Sequence, residues 1–136
     1  MAFLLPLRGS IQFQRWKFRA AAKDYKMALN DAEGKSAAPK ECGFLLTELG
    51  FAEVFCLKPR EGKQKIEDGL KLMFQGPSSP GFLVRVLRKH AISSMVNFDF
   101  QGARASAKAA LKIAEDAQLY DQLQPLKRII TMVRSA

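Results

Sequence analysis

The sequence predicts an all-α protein made of antiparallel helix-pair repeats with a C-terminal capping helix. Three observations carry that prediction: the chain repeats itself every 41 residues, helix-forming residues dominate it, and its prolines punctuate rather than pervade it. Moving along the chain in steps of 41, Gly9 falls on Gly50 and Ala91, Ala21 on Gly62 and Ala103, and Ala28 on Gly69 and Ala110. Small residues in these columns let two antiparallel helices approach closely, while larger neighbours fill the space around the crossing. The larger columns repeat too: Leu5, Leu46 and Leu87 align, as do Leu29, Leu70 and Leu111.

The repeat divides one domain, residues 1–136, into units at about 2–34, 41–75 and 82–117, followed by a capping helix at 121–134. Within them the spacing predicts helices near 40–57, 60–74, 80–97, 100–117 and 121–134. Pro59 suits the first turn of its helix, and Asp99 suits an N-cap. Residues 33–40 and 75–81 carry Pro39, Pro77 and Pro80 and read as the loops between units. Residues 10–32 also read as one long helix from Ser10, because Arg15-Trp16-Lys17 contains no breaker. In the last helix, Leu123, Leu126, Ile130 and Val133 form one apolar stripe, as expected of a helix that covers an exposed repeat end.

Composition limits the function classes. Hydrophobic residues make up 48% of the chain, too many for a disordered one. A formal charge of +9 favours an acidic peptide, an anionic surface or nucleic acid as a partner. Cys42 and Cys56, placed on one helix, stand too far apart to bridge, so free thiols in a reducing, cytoplasmic compartment are expected. An acid-free, Arg-bearing start before Asp24 keeps organellar targeting open. No apolar run is long enough to span a membrane.

No catalytic, cofactor or metal site is expected. Gly34-Lys35-Ser36 lacks the earlier glycine of a phosphate-binding loop, since residue 29 is Leu, and it follows a helix rather than a strand. His90 is the sole histidine and reads as a packed or hydrogen-bonded residue. Glu67-Asp68 and Glu115-Asp116 are adjacent in sequence and do not face each other on a helix.

The second unit reads Leu46, Leu49-Gly50, then Gly62, Ile66 and Gly69. The second helix of the first unit reads Phe18, Ala21, Tyr25 and Ala28-Leu29, and that of the third reads Phe100, Ala103, Ala107 and Ala110-Leu111. This pattern resembles the tetratricopeptide repeat, in the lengthened form similar to kinesin light chain; HEAT-like pairs share the period and are the structural alternative. The resemblance implies a superhelix whose first helices line a groove that grips extended peptides. By that resemblance the groove residues are Phe44, Thr47, Phe51 and Phe55 in the second unit and Arg85, Arg88, Lys89 and Ile92 in the third. Arg85 and Lys89 match the last two positions of the family's carboxylate clamp by spacing. Pro6, Ser10 and Glu48 stand where the clamp needs Lys and two Asn, so the full clamp is absent.

The expected function is therefore a non-enzymatic scaffold that binds a protein or peptide partner, acidic by charge, with self-association through exposed repeat ends also open. The alternative is a basic helical module for nucleic acid, with Trp16 between Arg15, Lys17 and Arg19 as its best stacking residue.

Overall fold

The structure is a computed structural model that describes residues 4–134; the expected start of the first repeat at residue 2 lies outside them. Among the described residues there are seven helices and no strand: α1 (Leu4–Gln14), α2 (Phe18–Gly34), α3 (Pro39–Val54), α4 (Pro59–Met73), α5 (Pro80–Val96), α6 (Phe100–Asp116) and α7 (Tyr120–Arg134). The all-α fold is thus built of α1 to α4 packed in sequence and α5 to α7 packed in sequence. The chain divides into two compact units, Met1–Pro77 with α1 to α4 and Ser78–Ala136 with α5 to α7.

In the first unit the tightest packing joins α3 to α4, and glycine makes it possible. A Cβ placed on Gly50 would lie 2.5 Å from the Gly62 carbonyl oxygen, and one on Gly43 would lie 2.7 Å from that of Gly69. Two glycines seven residues apart on α3 therefore face two glycines seven apart on α4. Ile66, Val54, Leu49 and Met73 are buried around this crossing. In the first helix pair the equivalent Gly9 receives the ring of Tyr25, 3.2 Å from where its Cβ would stand. Arg8 holds the buried Asp24 with two hydrogen bonds, from Nε at 3.1 Å and Nη2 at 2.7 Å, tying α1 to α2. Tyr25 Oη donates to Glu48 Oε2 across α2 and α3 at 3.2 Å.

In the second unit α5 packs on α6 through alanines. Ala91 and Ala103, with Ala107, Ala110 and Ala114, are all fully buried. α7 packs mainly on α6 and buries Leu126, Ile129 and Val133. Ile129, not Ile130, is the buried member of the stripe; Ile130 flanks it, half-buried. His90 Nδ1 lies 2.5 Å from Ser106 Oγ, joining α5 to α6.

The repeat reappears in the turns. Residues 10–32 are not one helix: α1 ends at Gln14, and Trp16 adopts a left-handed φ of 62°. Leu57 and Phe98, 41 and 82 residues further on, take φ of 62° and 61°. In each turn an amide reaches back five residues: Lys17 N donates to Gln12 O, Lys58 N to Glu53 O and Asp99 N to Ser94 O. That six-to-one bond with a left-handed residue is the Schellman motif, here without its usual glycine. A left-handed conformation costs a residue with a Cβ roughly 1–2 kcal/mol. The turns between pairs repeat the device with Ser36 and Gln118. Pro6 sits in the first turn of α1, where its missing amide hydrogen breaks no helical bond. Pro39, Pro59 and Pro80 open α3, α4 and α5.

Candidate partner-binding surfaces

The groove residues expected in the second repeat, on and just after α3, do not share one open face. Thr47 is fully buried; its Oγ1 donates to the Phe44 carbonyl at 2.7 Å, and its methyl packs where a Cβ on Gly69 would stand. Phe44 is half-buried against the core between α2 and α3. Phe51 and Phe55 belong to an aromatic cluster that joins both helix pairs: Phe13 stacks on Phe51 at 5.3 Å, and Phe18 stacks on Phe55 at 5.1 Å. Phe55 keeps an exposed edge.

In the second unit Arg85 is exposed, and Arg88, Lys89 and Ile92 are half-buried. Arg85 lines an open recess of about 290 Å³ between the start of α5 and the start of α7, with Phe82, Leu119, Asp121 and Gln122. Arg88 Nη1 donates to Gln122 Oε1 at 3.4 Å, so its charge is drawn toward α7. Ile92 packs against the core of Ala91, Ala107 and Ile129.

A second surface in the first unit brings together residues that the repeat pattern did not single out. Arg19, Lys23 and Lys26 follow one another along α2 at helical spacings of four and three. With Lys58 from the α3–α4 turn they surround a cleft of about 420 Å³, which Ala22, Leu49, Glu53 and Cys56 also line. All four cations are exposed, whereas Leu49 and Glu53 are buried. Glu53 Oε1 is paired with Lys65 of α4. Its Oε2 is buried without a hydrogen-bond partner, an arrangement native proteins seldom leave uncompensated. Gln12 Oε1 and Ser94 Oγ, at the equivalent positions of the other repeats, are buried and unpartnered in the same way. Burial pushes the Cys56 thiol up from its ordinary pKa, with Glu53 in the same sense, against the opposing pull of Arg19 and Lys58. Lys58 occupies the N-cap of α4 with no side-chain cap bond, so its charge adds to the positive end of the helix.

Among the described residues no group of three or more His, Cys, Asp or Glu side chains is placed to hold a metal ion. Among the described residues no helix is long and apolar enough to cross a membrane. No protein-family model matches the chain, and no curated protein matches it.

Proposed function

We propose that the chain is a non-enzymatic interaction module of tetratricopeptide-like helix pairs that binds an acidic segment of a protein partner. The observation that carries this reading is the cleft beside α2, where Arg19, Lys23, Lys26 and Lys58 ring a floor that includes Leu49 and Glu53. A chain entering there brings its carboxylates to the cationic rim and an apolar side chain to the floor. Charge complementarity of this kind speeds encounter and rejects basic competitors. Exposed Arg85 and half-buried Lys89, one turn apart on α5, provide the second unit with its own acidic contact. The free thiols of Cys42 and Cys56 suit a reducing, cytoplasmic compartment.

The test uses a fluorescein-labelled peptide of alternating Glu and Leu. Its affinity should fall at least roughly tenfold in the triple variant Arg19→Glu, Lys23→Glu, Lys26→Glu, with helical circular dichroism unchanged; removing one charge-assisted contact is worth about that much. Unchanged affinity would remove the cleft from the binding surface.

A further inference from the structure

Helices of the first unit alternate in direction, so the α1–α2 and α3–α4 turns lie at one end of it and the α2–α3 turn at the other. The two ends differ in chemistry. At the first end the left-handed residues are Trp16 and Leu57, which are 79% and 91% exposed. At the other end the same backbone position is filled by Ser36, so the conformation itself does not call for an apolar side chain. Large side chains held at φ above zero and left in water are costly twice, in backbone conformation and in hydration, which marks the pair as a site rather than a packing solution.

Both residues stand on a firm base. The Trp16 ring meets Phe18 edge-on at 5.7 Å, Phe18 stacks on Phe55 at 5.1 Å, and Phe55 precedes Leu57 by two residues. Around them are Arg15, Lys17 and Arg19 from one turn and Lys58 and Arg60 from the other, all exposed, with Glu61 as the neighbouring acid. Lys17 and Lys58 occupy the N-caps of α2 and α4 without side-chain cap bonds, reinforcing the positive helix ends. The opposite end, with Asp31, Glu33 and Glu41 against Lys35 and Lys40, has no such excess of cations.

We propose that this basic, apolar-tipped end of the first unit seats on an anionic lipid bilayer. Trp16 and Leu57 enter the headgroup layer, where indole rings partition readily, and the surrounding cations lie against the acidic lipid surface. Apolar insertion and charge attraction add in interfacial binding, and here both features occupy the same end. Two protruding apices fit a fluid surface that yields around them; a folded partner would have to offer two matching recesses.

Because Trp16 is the chain's one tryptophan, its fluorescence reports this contact alone. The full chain is titrated with phosphatidylcholine vesicles with and without phosphatidylserine, and followed by emission and by vesicle flotation. The expected result is a blue shift and flotation with the phosphatidylserine vesicles only, weakened by salt. Leu57→Asn, a polar residue tolerant of the left-handed turn, should lower the partition coefficient by roughly tenfold, the effect of withdrawing one Leu side chain from an apolar phase. It should leave affinity for the Glu-Leu peptide unchanged, which separates this surface from the α2 cleft. Absence of a blue shift and of flotation with anionic vesicles overturns the proposal. So does undiminished flotation of both Leu57→Asn and Trp16→Asn, and so does a blue shift produced by an RNA oligonucleotide but not by vesicles.

Discussion

Substituting Ala for Gly50 or Gly62 adds a single methyl group at the place where α3 and α4 come closest. On Gly50 that methyl would stand 2.5 Å from the Gly62 carbonyl oxygen and 3.0 Å from both the Ile66 backbone nitrogen and its Cγ1. On Gly62 it would stand 2.7 Å from Val54 Cγ2 and from the Val54 backbone nitrogen. Ordinary contact begins near 3.4 Å, and the obstructing atoms include backbone that no rotamer change can clear. The helices must separate along the whole crossing and loosen the burial of Ile66, Val54 and Met73. Overpacking of this kind costs about 1–3 kcal/mol, and with rigid backbone as the obstacle the upper end applies. Replacing Gly by Ala inside a helix returns about 1 kcal/mol. The net loss is about 2 kcal/mol, which in a domain of this size lowers Tm by roughly 10 °C. Gly81→Ala in the first turn of α5 is the control, because a Cβ there meets nothing within 4 Å. Thermal melts followed by circular dichroism decide the matter. If Gly50→Ala and Gly62→Ala melt at or above the wild-type temperature, as the control should, the close helix crossing is refuted.

Leu57→Gly relieves a left-handed backbone and should raise the Tm by several degrees, at about 1 kcal/mol for the turn; a lowered Tm would show that Leu57 contributes packing its exposure conceals. Lys65→Ala leaves the buried Glu53 carboxylate without its ion partner and should destabilise by about 1–3 kcal/mol, whereas the double change Glu53→Leu with Lys65→Leu should restore most of the loss. Chemical denaturation of both variants checks this, and an unaffected single variant would contradict it. Burial raises the pKa of both Cys42 and Cys56, with Glu33 and Glu41 adding to it at Cys42. The thiolate is the reacting form, so iodoacetamide should modify both cysteines more slowly than a free thiol at neutral pH and catch up as pH rises. Alkylation at the free-thiol rate would contradict the burial.

The repeat was legible because close helix approach imposes a size limit, and a size limit survives in sequence as a column of Gly and Ala. Gly50 opposite Gly62 follows directly from it. The turns were less legible for a matching reason. Left-handed positions normally announce themselves with glycine, but here they carry Trp16, Leu57 and Phe98, so only their common spacing of 41 residues marks them. The burial of Thr47 was not legible, because α3 is packed on two sides, by α2 and by α4, which leaves no single face for periodicity to assign. Arg19, Lys23 and Lys26 show their common face in the sequence. Their significance depends on Lys58 and Glu53, which reach the same cleft from another helix pair, and no local pattern contains that meeting.

The most direct test of the central claim is a titration of uniformly 15N-labelled protein with the Glu-Leu peptide, followed amide by amide by NMR. The account predicts shift changes concentrated at Arg19, Ala22, Lys23, Lys26, Leu49, Glu53 and Lys58, with a second, smaller set near Arg85 and Lys89. The Glu53 carboxyl carbon, observed in a 13C-labelled sample, should respond as the peptide's charges arrive at the cleft it lines. Shifts that bypass the cleft, or peptide binding that leaves the Glu53 carboxyl resonance unmoved, would contradict it.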